Sequence, residues 1–425
     1  MHCGLAAEVD LLVVNAAQLL TCAPARERPK VGEEMLQLGI IEGGAVAVVG
    51  ERIAAVGPTE EVLRSVRCGP RTRVVNADGQ VVTPGLVDPH THLIFAGWRE
   101  EEMELRLRGF TYLDILRAGG GILSTVRATR AASLEELVRV GLQRAWEMLT
   151  QGTTTAEAKS GYGLSLEHEL KQLAAVREVN ARHPLDLVPT FLGAHAIPEE
   201  YSGSPERYVD QVVEEMLPAV ARDGLAEFCD VFCEPGVFDL KQSRRILTRA
   251  RQLGLGLKVH ADEIHPQGGA ELAAELEAAS ADHLVAVSDE GIDRLAASGV
   301  VAVLLPGTSF VLGGRHAPAR RMLERGVAVA LATDFNPGTC PCNSLPLIMV
   351  MGCLCLGMRP AEVVNAVTIN AAWAIGRAHD IGSIEPGKLA DLVVFEAPNY
   401  KYLCYRLGTN LVRMVIKRGQ VVVER

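Results

Sequence analysis

The stretch Pro84-Gly85-Leu86-Val87-Asp88-Pro89-His90-Thr91-His92 closes a short apolar run with two histidines spaced by one residue. In an extended chain residues i and i+2 point to the same face, so both imidazoles are offered to one ion. A lone HxH pair carries little weight, because such pairs also arise on solvated surfaces. Its place at the end of a predicted strand adds weight, since barrel enzymes carry their active sites at strand C-terminal ends. From Pro84 to about Gly382 short apolar strands alternate with amphipathic helices, the pattern of parallel βαβ units. Eight predicted strands end near Val87, Glu157, Leu192, Phe232, Val259, Leu284, Leu305 and Thr333, enough to close a (β/α)8 TIM-like barrel.

The intervening helices are well marked. One is expected to open at Ser133, with Glu136 three residues on completing a capping box, and to stop at Gly152. Its apolar stripe is read as Leu134, Leu137, Val138, Leu142, Ala145, Trp146 and Leu149, which makes Trp146 a packing residue. Outside the barrel both ends are β-rich. Gly50-Glu51 and Arg418-Gly419 each separate two apolar runs and predict hairpins. Residues 1–83 and 383–425 are therefore expected to build one small β-sandwich domain, with the barrel, 84–382, inserted between them.

Composition narrows the function. The 425 residues are 48% hydrophobic and 22% charged, and no uncharged apolar run reaches the roughly 18 residues of a membrane span. The first residues lack a basic flank, which argues against a secretory signal. Ten cysteines are too dilute for a disulfide scaffold, so a cytoplasmic protein is expected. A net charge of -10 offers no basic face to nucleic acid and leaves a small molecule as the expected partner. A homodimer is expected from the frequency of two-fold oligomers alone.

The strand-end test extends to other histidines. His195, His260 and His283 each follow a predicted strand, and Asp334 follows the eighth. Together with His90 and His92 they converge on one rim, and clustered histidine and carboxylate there point to a metal-assisted site. His2, His168, His183, His316 and His379 lie at a terminus, on helical stretches or in loops, where solvation explains them; His265, just past Glu263, is left unassigned. Cys340-Pro-Cys342 and Cys353-Leu-Cys355 lack the usual C-x2-C spacing of thiolate zinc sites.

These residues resemble the amidohydrolase superfamily: HxH after strand one, histidine after strands five and six, aspartate after strand eight. Members with two metals carry a lysine on strand four. Here Phe228-Cys-Asp-Val-Phe-Cys-Glu234 has none, so the resemblance implies one metal. His260-Ala-Asp-Glu263 is similar to the mononuclear branch, and within it the chain resembles the imidazolonepropionase family. That likeness rests on His90-Thr-His92 with Ala96-Gly-Trp-Arg99, Ala118-Gly-Gly-Gly-Ile122, Lys159-Ser-Gly-Tyr162-Gly-Leu, Gly193-Ala-His195 and Asp334-Phe-Asn336-Pro-Gly338-Thr339.

The resemblance implies hydrolysis of 4-imidazolone-5-propanoate to N-formimidoyl-L-glutamate in histidine degradation. His90, His92, His260 and Asp334 would hold one Zn2+ or iron ion. Glu263, His283 and Asp334 would be catalytic, with His283 steadying the oxyanion and Asp334 or Glu263 moving the proton to the leaving nitrogen. Arg99 suits the propionate carboxylate as a planar bidentate donor, with Tyr162, His195, Glu263, Asn336, Gly338 and Thr339 completing the substrate cradle. Lys159 belongs to the pattern without an evident role. Two rivals share the residues: a deaminase of a neutral heterocycle, for which Arg99 would have no carboxylate to hold, and a silent scaffold, which should have lost ligands.

Overall fold

The computed structural model describes residues 8–110, 114 and 119–425; His2 and Ala118 lie outside the described residues. Eight parallel strands form one sheet in sequential order. They are β1 (Leu86–Asp88), β2 (Thr153–Lys159), β3 (Asp186–Ala194), β4 (Phe228–Cys233), β5 (Gly256–Ala261), β6 (Ser280–His283), β7 (Val301–Leu304) and β8 (Val329–Leu331). Each ends within two residues of its predicted end. Parallel neighbours need a crossover, and helices supply it, which is why every strand is covered on its outer side and all of β2 is buried.

The sheet closes where the chemistry lies. Among the described residues no ladder joins β8 to β1, but just past their ends Thr91 bridges Phe335, with Asp334 N donating to His90 O at 3.0 Å and His92 N to Phe335 O at 2.9 Å. Asp88 seals the seam by accepting from Thr333 N at 3.1 Å and Thr333 Oγ1 at 2.6 Å. The closing bonds thus fix His90, His92 and Asp334 relative to one another.

The ends of the chain build two further sheets. Residues 52–58, 44–49, 8–16 and 67–76 form one; 420–424, 412–417, 392–395, 81–84, 18–20 and 40–41 form the other. In the second sheet Val81–Pro84 pairs antiparallel with Leu392–Phe395, so both termini share it. Leu11, Val13, Val46 and Val48 from one sheet and Val82, Leu392, Val394 and Ile416 from the other make a common apolar core. Both predicted hairpins form. Arg418 and Gly419 are both left-handed, at φ 49° and 74°, as a tight two-residue turn demands. Gly419 also lies against the first hairpin: a Cβ there would meet Gly50 O at 2.5 Å.

One packing expectation is corrected. The helix Leu134–Leu149 does start at Ser133, whose Oγ accepts from Glu136 N, but Trp146 is 49% exposed and lies edge-on to His183. The buried stripe runs through Leu137, Val138, Gly141, Arg144, Ala145, Met148 and Leu149. At about 100° per residue Trp146 falls outside that arc, whereas Arg144 falls within it. Its guanidinium lies 3.5 Å over the Phe95 ring and donates to Leu93 O and Phe95 O.

Candidate active site

Two histidines enter the rim on one extended segment, and the others are delivered by separate strands. His90 and His92 project to the same side, ring centroids 5.3 Å apart, as the i, i+2 rule requires. His260, on β5, lies 4.6 Å from His90 and 5.6 Å from His92. His283, ending β6, lies 5.1 Å from His260. Asp334 Oδ1 stands 3.4 Å from His90 Nε2 and 3.5 Å from His92 Nε2. All five side chains are buried.

Backbone turns complete this convergence. Adjacent strand residues face opposite ways, so His283 cannot follow Asp282 into the barrel unless the chain leaves the β region; it does so at φ 72°. Asp334 is likewise left-handed at φ 53°, and Asp262 at φ 49°. Non-glycine residues seldom adopt this conformation, and their clustering on one rim is strain held at a site. Asp262 is held there because its carboxylate accepts from the backbone N–H groups of Gln267, Gly268, Gly269 and Ala270. Glu263 is thereby turned inward, its Oε2 3.6 Å from His283 Nδ1. On its far side Glu234 accepts from Ile264 N and His265 N, at 3.2 and 2.9 Å. His265 itself is exposed, its Nδ1 2.7 Å from Glu234 Oε1.

Burial sets the protonation states. It holds His90, His92 and His283 well below the ordinary histidine range and His195 at about 3, so these rings are neutral. At His260 burial acts downward too, but the Asp230 carboxylate more than offsets it and raises the pKa. Burial raises Asp334 to about 6 despite the hydrogen bond from Thr308. Glu263 is pushed up to about 8 by burial and then by the charge of Asp334.

The donor set fits a metal. His90, His92 and Asp334 offer ligand atoms within 4.8 Å of one another, as do His90, His260 and His283. Among the described residues, the buried His90 Nε2, His92 Nδ1 and both ring nitrogens of His260 have no hydrogen-bond partner, although His260 Nδ1 stands 2.9 Å from Asp230 Oδ2. An unsatisfied buried nitrogen is costly, and His90 Nε2, 3.4 Å from Asp334 Oδ1 without a hydrogen bond, is placed where a cation resolves that cost. Imidazoles with one carboxylate suit zinc or iron.

A cleft of about 330 Å³ opens beside these residues, lined by Glu263, His283, Thr308, Ser309, Leu312 and Arg315. Across the rim His195 stacks on His92 at 4.9 Å, with Tyr162 5.4 Å from it. Burial raises the Tyr162 hydroxyl above its usual range, so it stays a donor. Arg99 is nearly buried; its Nη2 meets Glu102 Oε2 at 2.8 Å, and its guanidinium lies against Gly338, where a Cβ would sit 2.2 Å from Nη1. Asn336 braces the loop. Its Oδ1 accepts from Gly338 N and Thr339 N at 2.9 and 2.7 Å, and its Nδ2 donates to Asp334 O at 2.7 Å.

Sequence reasoning missed the layer beneath the histidines. His90 Nδ1 lies 2.6 Å from Asp282 Oδ2, and His260 Nδ1 lies 2.9 Å from Asp230 Oδ2. The available signal was charge inside otherwise apolar strands, at Glu157, Lys159, Asp230, Lys258 and Asp282, all fully buried.

The chain matches the amidohydrolase family over residues 81–422, and a bacterial imidazolonepropionase-like composite domain over residues 44–65. It is 54% identical to an imidazolonepropionase of Alkaliphilus oremlandii over 418 residues, 98% of this chain and 99% of that one. An imidazolonepropionase of Symbiobacterium thermophilum is 56% identical, with 98% of each chain covered. Among solved structures, an adenosine deaminase from Xanthomonas campestris with bound zinc shares the fold, with a TM-score of 0.71 at 21% identity over 99% of this chain and 94% of that one.

Proposed function

The chain belongs to the amidohydrolase family and, within it, to the imidazolonepropionases, and from that premise we propose that it hydrolyses the cyclic amide of 4-imidazolone-5-propanoate to N-formimidoyl-L-glutamate, a step of histidine degradation. In this reading residues 84–382 carry the chemistry, while 1–83 and 383–425 form the scaffold. His90, His92, His260 and Asp334 hold one ion, Zn2+ or iron. When bound, such an ion polarises a carbonyl and lowers the pKa of water from about 15.7 toward about 7.

The side chains then divide the proton work. Asp334, whose Oδ1 stands 3.4 and 3.5 Å from the Nε2 atoms of His90 and His92, accepts a proton from the attacking water. His283, neutral and 3.6 Å from Glu263, donates a hydrogen bond to the carbonyl oxygen as charge develops there. As the new C–O bond forms, the ring C–N bond breaks and its electron pair passes to nitrogen, which takes a proton from Glu263. A carboxyl group with a pKa of about 8 still carries that proton at neutral pH. Arg99 clamps the propionate bidentately, and Tyr162, His195 and the Asn336–Thr339 loop enclose the tail. The same reading takes the enzyme as a cytoplasmic homodimer with no nucleic-acid or membrane partner. No helix among the described residues is long and apolar enough to cross a membrane.

The observation that carries the proposal is the convergence at the strand ends of a buried imidazole cluster with Asp334 and Glu263, together with a nearly buried arginine packed on the Gly338 loop that follows Asp334. The test is turnover on metal-loaded protein, with the imidazolone generated from urocanate by coupled urocanase and the product followed by mass spectrometry. Formation of N-formimidoyl-glutamate above the enzyme-free rate is expected. Its absence from metal-replete protein refutes the assignment.

A further inference from the structure

Beneath the rim lies a closed layer of charge. Glu157, Lys159, Asp230, Lys258 and Asp282 come from four different strands, and none has any exposed surface. Lys159 is its centre: its Nζ stands 2.7 Å from Asp230 Oδ2, 2.8 Å from Glu157 Oε2 and 3.6 Å from Asp282 Oδ2. Lys258 is placed differently. It reaches Glu157 Oε1 at 3.1 Å and donates to Pro89 O at 3.0 Å.

The oxygens that Lys159 faces are the ones that face the histidines. Asp230 Oδ2 lies between Lys159 and His260 Nδ1, and Asp282 Oδ2 lies between Lys159 and His90 Nδ1. Asp230 is also tied through Oδ1, which accepts from Val231 N and His260 N at 2.7 and 3.1 Å. Asp282 has no such second tie, since its Oδ1 has no hydrogen-bond partner among the described residues. We propose that Lys159 is a positioning residue whose ammonium anchors Asp230 and Asp282, so that these two carboxylates hold His260 and His90 with Nδ1 inward and Nε2 presented to the metal.

The physical reason is repulsion. Three carboxylates share one dry interior with two ammonium groups; without Lys159, Asp230 keeps the His260 ring and its two backbone donors, whereas Asp282 keeps the His90 ring and the field of Lys258, which is engaged by Glu157 and Pro89. Asp282, tied least, would move first and release the His90 ring. A ligand imidazole is oriented by the group on its other nitrogen, and losing such a group typically weakens metal binding about 10- to 100-fold. This inference rests on reading His90, His92, His260 and Asp334 as the metal ligands.

The test uses the full chain, with Lys159→Met keeping length and losing charge. Zn2+ affinity is measured by competition with a chelating dye, and folding by circular dichroism. Nitrogen NMR of the metal-free protein reads which imidazole nitrogens of His90 and His260 carry hydrogen. Expected are a roughly 10- to 100-fold loss of Zn2+ affinity in a folded chain and loss of the ordered Nδ1–H signals of the parent. Lys159→Met combined with Asp230→Asn and Asp282→Asn should bind no more weakly than Lys159→Met alone, because all three act along one chain of contacts. A folded Lys159→Met protein with parent-like affinity and parent-like Nδ1–H signals overturns the proposal, as does strict additivity. Should Lys159→Met fail to fold, Lys159→Gln is judged by the same criteria. If the parent binds no Zn2+ at these histidines, the reading of the ligands fails, and the metal-free signals still decide the role of Lys159.

Discussion

The sandwich and the barrel interior are equally dry but built from opposite chemistry. Between the two terminal sheets the core is Leu11, Val13, Val46, Val48, Leu392, Val394 and Ile416, and its stability comes from apolar area removed from water. Inside the barrel the same degree of burial encloses Glu157, Lys159, Asp230, Lys258 and Asp282. Buried ion pairs contribute little net stability compared with apolar packing, because desolvation offsets the attraction. What they add is direction: a carboxylate accepts along defined lines, and a methyl group does not. Even the sandwich uses one such pair, Lys417 and Asp391 at 2.6 Å, where the second sheet meets the barrel through Asp186. The barrel interior gives up packing energy for orientation, and the sandwich does the reverse.

If that division is right, substitutions in the two regions should differ in kind. The largest effect on turnover is expected at the ligands. His90→Ala should lower kcat on the order of 10³-fold or more, with loss of bound metal by elemental analysis and an unchanged circular dichroism spectrum. An active His90→Ala protein without metal would break the scheme. Next comes Glu263→Gln, expected to lower kcat by roughly 10²- to 10⁴-fold while KM changes little. Glu263 also predicts a pH dependence. It must be protonated to act as the acid, so the parent rate should fall as pH rises through about 8, and residual Glu263→Gln activity should lack that limb. The linked stability has the same sign: the folded pKa is raised from 4.5, so the contribution is full below 4.5 and is lost as pH rises toward and through about 8.

A smaller effect is expected at Arg99. Removing one charge-assisted carboxylate clamp costs about 1.5–3 kcal/mol, which should appear in Arg99→Ala as a KM roughly 10- to 100-fold higher with kcat nearly kept. An unchanged KM would remove Arg99 from the substrate site. The least effect on chemistry belongs to the sandwich. Ile416→Ala should cost about 2–5 kcal/mol of stability, read as a lower Tm, while kcat below the transition matches the parent. A specific loss of kcat there would mean that the sandwich does more than support the barrel.

The parts of this design that were legible in the chain are those set by local rules. Strand spacing, the i, i+2 pairing of His90 with His92 and the two-residue turns at Gly50 and Arg418 all follow from backbone geometry over a few residues, so a pattern in the sequence is enough to locate them. Histidine after histidine at strand ends then located the rim, and family likeness supplied the roles. Where a local rule met competition it failed, as at Trp146, whose place in the stripe went to Arg144 because a guanidinium could satisfy Leu93 O and Phe95 O while stacking on Phe95.

The rest was decided by packing between distant segments. His90 finds Asp282 across 192 residues, and Lys258 finds Pro89 across 169. Arg99 owes its position to the missing side chain at Gly338. His283 and Asp334 reach the site only because the surrounding structure holds them left-handed, a conformation uncommon for any residue but glycine and not assignable from either residue alone. Periodicity tells which way a side chain faces along its own strand, but which charge it meets depends on barrel closure, and closure is a property of all eight strands at once.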